Sequence, residues 1–271
     1  MEKRKLNARD IDIALGGDLC NQITSTGFAY RDYMIPFGGM YGACSTMSLT
    51  MATAACLISG GVVNNAVAGA SSHFCTAERQ FRTPLDYGGK RTPTAQWTVT
   101  GAANVFLERE GKGPFITKVC FGRIVDLGIT DANNMGAAMA PAAVSTLTRY
   151  FGESGTTPTD YDLIVTGDLG WEGSRILCDL MMAEGRDISA NHNDCGKMIF
   201  SRNTQDTHSG GSGCGCAAIV LGGYLLPKLQ RGELHRILFM ATGAMMSPDS
   251  VKQGQSIPGV AHLVCLESTL G

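Results

Sequence analysis

The stretch RDIDIALGGDL at residues 9–19 returns later in the chain as TDYDLIVTGDL at residues 159–169. Each copy has an acidic start, an apolar-rich run and a closing Gly-Asp-Leu. A continuous apolar run between a polar start and a Gly-Asp turn predicts a short strand buried on both faces, as in a parallel sheet. The sequence after the two copies is alike as well. The first leads through GACS to a helix over 45–59, then Gly60 and Gly61, a strand over 65–70 and a strand over 97–108. The second leads through GSGCGC to a helix over 217–231, then Gly232 and strands over 236–242 and 261–267. Two similar βα halves follow, spanning 1–112 and 113–271.

The halves differ at their starts. A further strand (115–124) and helix (136–150) precede the second Gly-Asp-Leu strand, where the first half has about eight residues. The expectation is a first half short of one inner strand and one helix, with unpaired backbone groups where the strand is missing. The native protein is expected to begin upstream of Met1, the alternative being a degenerate copy or substitute pairing at a subunit interface.

Hydrophobic residues make up 44%, charged residues 17%, and glycine occupies 35 of 271 positions, which fits a compact α/β protein and excludes disordered or fibrous classes. A formal charge of −2 with interspersed signs argues against nucleic acid as a partner. No apolar run reaches the length of a membrane span, and the opening MEKRKLNARD lacks the apolar stretch of a signal peptide, so a soluble cytoplasmic chain is expected. The ten cysteines read as reduced thiols. Cys214 and Cys216 lack a second ligand pair, so no metal and no cofactor is expected.

The candidate site residues lie at element ends. Cys44 opens an apolar helix, where the dipole favours a thiolate nucleophile, although such a cysteine also serves as a small buried hydrophobe. The turn SGGSGCGC at 209–216, which includes Ser212 and Gly213, precedes a helix and offers backbone N–H groups to a carboxylate or phosphate, or else allows tight packing. His73 and His192 fall in loops after strands, and His208 precedes the glycine turn, whereas His235 and His262 read as structural. Asp18 and Asp168 occupy matching points of the two halves and read as site acids or turn formers. Arg79 and Arg82, in TAERQFRTPLDYGG, carry guanidinium forks suited to a dicarboxylate, or form ordinary ion pairs.

The strings PFGGMYGACSTMS, ASSHFCTAERQFRTPLDYGG, DLGITDANNMGAAMAPAA, DYDLIVTGDLG, HNDCGKMI, GGSGCGCAA and SIPGVAHLVCLE resemble those of the stage V sporulation protein AD family, within the thiolase superfamily. The resemblance covers nearly the whole chain. It implies an α/β, thiolase-like duplicated fold layered α/β/α/β/α, with the first half lacking its N-terminal strand and helix. In condensing enzymes of that superfamily the nucleophilic cysteine works with a histidine and with an asparagine or histidine from the second half. Cys44 matches the nucleophile, but the partner positions fall near Gly167 or Asp168 and near Ser212, without imidazole or amide. The resemblance therefore implies a non-catalytic binder of dipicolinic acid, with its calcium, taken up into the developing spore. It further implies other stage V sporulation proteins as partners at the forespore inner membrane, and a homodimer through the first-half sheet edge. The implied ligand-binding set is Cys44, His73, Arg79, Arg82, Asp168, His192, Ser212 and Gly213. The alternatives are a thioester-dependent acyltransferase using Cys44 and a truncated, nonfunctional remnant.

Overall fold

The computed structural model describes residues 6–81 and 90–270. Arg82 and the rest of its loop lie outside them. The repeated stretch forms β1 (Ile13–Asp18) and β7 (Leu163–Thr166), each pairing in parallel on both sides. The acidic starts of the repeat have a matching purpose. Asp12 Oδ2 accepts the Asn64 and Asn65 N–H groups at 2.7 and 3.2 Å. Asp162 Oδ2 accepts those of His235 and Arg236 at 2.5 and 3.0 Å. In both halves a carboxylate thus pins the start of the neighbouring strand.

The first sheet runs β2 (Phe37–Gly39), β1, β3 (Asn65–Ser72), β5 (Gly101–Glu108). The second runs β8 (His192–Asp194), β7, β10 (Arg236–Ala244), β11 (Gly259–Glu267), β6 (Phe115–Cys120). In both, the last strand of the repeat (β5, β11) is antiparallel to its neighbour. The extra strand of the second half, β6, lies at the sheet edge against β11. That corrects the expectation of a missing inner strand: the first half has the same four-strand order without a counterpart of β6, so its strands pair without a gap.

Two other expected elements changed. The strand expected over 97–108 divides, because Thr100 Oγ1 accepts the Phe74 N–H at 2.9 Å and turns the chain. Its first part, β4 (Trp97–Thr98), pairs instead with β9 (Gly211–Ser212), tying the two halves together. The strand expected over 115–124 stops at Cys120.

Helix α1 (Thr24–Arg31) covers the outer face of the first sheet. Between the sheets lie α2 (Thr46–Ser59) and the continuous helical stretch of α7 (Cys214–Val220), a π turn (Leu221–Leu225) and α8 (Leu226–Gln230). On the outer face of the second sheet pack α4 (Met135–Ser154) and α5 (Gly170–Ala183). The layering is α/β/α/β/α. Both faces of the second sheet are therefore dry: along β10, Ile237, Phe239 and Ala241 face the central helices while Leu238 and Met240 face α4 and α5. This explains why its sequence is continuously apolar rather than alternating.

The outer pair of helices meets at two glycines. A Cβ built on Gly173 would stand 2.8 Å from the Gly136 Cα. Gly173→Ala is expected to overpack this crossing, costing ~1–3 kcal/mol and lowering the melting temperature by about 2–4 °C per kcal/mol. An unchanged melting curve would show that the helices can separate freely.

Candidate functional site

Cys44 sits in a 3-10 turn, Ala43–Ser45, ahead of α2, and is 5% exposed. Ala43 has φ 50° and its counterpart before Cys214, Gly213, has φ 102°. The same left-handed entry to a central helix is thus built twice. The strain falls on the alanine and costs roughly 1–2 kcal/mol. Around Cys44 lies a narrow cleft walled by Leu19, Phe81, Thr98, Met135, Ser212 and Met246, with no charged side chain in its lining among the described residues. Its volume of about 20 Å³ admits a single water.

The group facing Cys44 is Asp168, fully buried and close enough for its charge to act on the thiol. Asp168 Oδ2 also accepts the Gly213 N–H at 2.7 Å and the Ser212 hydroxyl at 3.3 Å, and Oδ1 accepts Thr242 Oγ1 at 3.1 Å. Burial raises the Asp168 carboxyl above its ordinary range, while these donors pull it back. Burial first, and the Asp168 charge second, push the Cys44 thiol well up. That overturns the expectation of a dipole-stabilised thiolate. A carboxylate is far too weak a base to take the proton of such a thiol, and a thiolate would set a second negative charge beside the first.

The glycine turn meets a similar fate. Its Gly213 N–H is taken by Asp168, its Gly215 N–H by Ser72 Oγ at 3.1 Å, and its Cys216 N–H by the Gly213 carbonyl at 3.0 Å. The anion anticipated at this helix start is the chain's own Asp168 carboxylate. Asp18 repeats the arrangement in smaller form, accepting Ser71 Oγ and the Cys20 N–H, both at 2.9 Å.

The structure brings Cys44, Asp168, Ser212 and Gly213 together and places His73, Arg79 and His192 elsewhere. His73 is exposed, with Nδ1 3.2 Å from Thr76 Oγ1 at the start of α3 (Phe74–Phe81). Arg79 is exposed on the same helix. Its neighbour Glu78 is the buried one, accepting the Thr98 hydroxyl at 3.1 Å and pairing with Arg91 at 3.4 Å. The expected role of Arg82 lies outside the described residues. His208 is held by Thr92 and Asp206.

Asp194 is a residue that the sequence reading missed. It is fully buried and caps α6 (Cys195–Met198) by accepting the Lys197 N–H at 3.3 Å. It also accepts the Leu169 and Gly170 N–H groups at 2.8 and 3.0 Å and the Thr166 hydroxyl at 2.6 Å. Burial raises its pKa to about 7 against the pull of Thr166, with Asp168 raising it further. Because the Thr166 proton goes to Asp194, His192 donates from Nε2 to Thr166 Oγ1 at 3.1 Å and turns Nδ1 toward the Cys178 thiol at 3.6 Å. Desolvation, then the Lys197 charge, push His192 down to about 3, so its ring is neutral.

His192 does not reach Cys44 but lines a second, larger cavity of about 280 Å³. Trp171, Arg175 and Cys178 of α5 form one wall, and Lys197 and Arg202 another. The spacing of the α5 residues, one helical face at i, i+4 and i+7, is a signal that the sequence held.

The sequence profile described as Stage V sporulation protein AD (SpoVAD) matches residues 1–267. The Stage V sporulation protein AD of Bacillus subtilis is 43% identical over all of this chain and 80% of its own length. Among solved structures, 3-oxoacyl-[acyl-carrier-protein] synthase III from Aquifex aeolicus superposes with a TM-score of 0.62 at 12% identity, over 97% of this chain and 80% of its own. The tetronic acid condensing enzyme AbyA1 gives 0.63 at 15% identity over 98% and 81%. Such low identities carry the thiolase-like fold alone.

Proposed function

We propose, because this chain belongs to the Stage V sporulation protein AD family, that it is a non-catalytic binding protein for dipicolinic acid. Its role lies in sporulation. In this reading it assists uptake of dipicolinate, with its calcium, into the developing spore, beside other stage V sporulation proteins at the forespore inner membrane. Among the described residues no helix is long and apolar enough to cross a membrane, so the association is peripheral in this proposal.

The observation that carries the reading is the surroundings of Cys44. The cysteine stands where a condensing enzyme keeps its nucleophile, yet a carboxylate faces it and the neighbouring Gly213 N–H is already engaged. No donor there is left for an oxyanion at Gly213, and the cleft has no room for an acyl chain as it stands. The second reading, a thioester-dependent acyltransferase, rests on the retained cysteine and the fold.

Calorimetric titration of dipicolinic acid, with and without calcium, separates the two when combined with mass measurement after incubation with an acyl-coenzyme A. Saturable binding with Cys44 unmodified is the expected result. Acylation at Cys44, absent in Cys44→Ala, together with no dipicolinate binding, would establish the enzyme instead.

A further inference from the structure

A thiol, a base and the groups that orient the base stand in line beneath α5. Cys178 Sγ lies 3.6 Å from His192 Nδ1. The far nitrogen of that ring, Nε2, is 3.1 Å from Thr166 Oγ1, whose own proton goes to Asp194 Oδ2 at 2.6 Å. Thr166 therefore accepts from the ring, which fixes the Nε2–H tautomer and leaves the Nδ1 lone pair facing the thiol. A nucleophile, a base and an orienting group in this order are what a reactive cysteine requires. Burial raises the thiol against the pull of Lys197 and holds the imidazole at about 3, so the pair rests uncharged. The proton then moves during attack rather than before it.

The cavity of about 280 Å³ opens beside this pair, with both side chains in its wall. The rest of the wall suits a negatively charged reactant. Arg175 is engaged by Glu172 and Asp179 at 3.3 and 3.6 Å. Lys197 and Arg202 meet no carboxylate among the described residues; both lie against the Trp171 indole, 4.8 and 4.3 Å from its centroid. The ring holds these two charges side by side without neutralising them. The Ser174 hydroxyl, one helical turn before Cys178, lines the same cavity, is 3% exposed and has no hydrogen-bond partner among the described residues. A buried hydroxyl in that state is an open position for an acceptor on an incoming molecule.

We propose that Cys178 is a modification site, forming a mixed disulfide with a small anionic thiol that arrives as its own disulfide. His192 Nδ1 takes the Sγ proton as Sγ attacks the nearer sulfur of the incoming molecule. The new S–S bond forms while the old one breaks, and the departing thiolate takes the proton back from the imidazolium. The Cys178 sulfur is oxidised, the departing sulfur is reduced, and the incoming disulfide is the oxidant. Lys197 and Arg202 receive the anionic group, and the Ser174 hydroxyl donates to it. The reaction involves neither Cys44 nor dipicolinate, so it stands or falls apart from the binding reading above.

The test uses three disulfides of similar length: dithiodipropionate, bis(2-hydroxyethyl) disulfide and cystamine, which are dianionic, neutral and dicationic. Each is incubated with the native protein, and mass mapping of peptides follows Cys178 beside the exposed Cys56 and Cys75. Measured relative to those two, Cys178 is expected to react about 10-fold faster with the dianion than with the dication, as a cation-lined cavity concentrates anions. The Lys197→Met, Arg202→Met double variant is expected to lose that preference. His192→Gln is expected to slow Cys178 about 100-fold with every probe and to leave Cys56 unchanged, the size of a lost general base. Thermal unfolding controls for the folding of both variants, and the charge order is read on the wild type alone. A Cys178 that stays unmodified while Cys56 and Cys75 react, or that shows no preference for the dianion, overturns the proposal. So does a folded His192→Gln in which Cys178 reacts at the wild-type rate.

Discussion

Replacing Asp194 with alanine is expected to remove about 3–5 kcal/mol of stability. The carboxylate accepts from the backbone of α5, from the backbone of α6 and from Thr166, all out of contact with water. Alanine leaves these donors unsatisfied at ~1–3 kcal/mol each before relaxation. It also opens a void between β7, β8 and α5. Asp194→Asn is expected to lose about half as much, since one oxygen remains an acceptor while the amide turns N–H groups toward N–H groups. Urea unfolding at neutral pH, compared at equal slope, measures both. An alanine variant within ~1 kcal/mol of wild type would mean that the helix starts find other partners.

Acid is expected to destabilise the protein between about pH 6.5 and 4.5 by on the order of 2 kcal/mol. Two imidazoles are neutral in the folded state: His192, pushed down to about 3, and His262, pushed by burial to about 4. Their unfolded forms take up protons first, so the stability they contribute is complete above the unfolded value near 6.5 and is lost as pH falls toward the folded one. Asp194 works in the opposite direction. Its folded pKa of about 7 lies above the unfolded value, so the native state binds its proton more readily as pH falls below 7. Asp168, also raised, adds to that at the lower end of the window. Two groups lose and chiefly one gains, leaving a net slope near one proton. His262 Nδ1 accepts the Gly122 N–H at 3.1 Å, a bond that an amide oxygen can replace. His262→Gln is therefore expected to bring the slope close to zero, read as urea midpoints at three pH values. A variant that keeps the wild-type slope would show that the His262 ring is already charged in the native protein.

The repeated strands were legible because a run buried on both faces has to be apolar throughout, and Gly-Asp-Leu marks where it ends. The central helices were equally plain, apart from the Cys214 start that the glycines obscured. The three-residue strand His192–Asp194 gave no periodicity to read. Its Asp194 looked like any polar loop residue, since nothing local reveals that three donors from a distant segment converge on it. The Cys44 neighbourhood was recognisable from the symmetry of the two halves, but the direction of its thiol pKa was not. The dipole of α2 can be read from sequence, whereas burial and the approach of Asp168 depend on the packing of the other half. Lys197 and Arg202 went unnoticed for a related reason: their shared indole, Trp171, lies on another helix.

The carboxylate under Cys44 also constrains how this chain can change. In the binding reading proposed above, any path toward acyl transfer must remove Asp168 to free the donors around the thiol, yet that step strips Gly213, Ser212 and Thr242 of their common acceptor. A single buried side chain thus ties the chemistry open to the thiol to the stability of the fold around it.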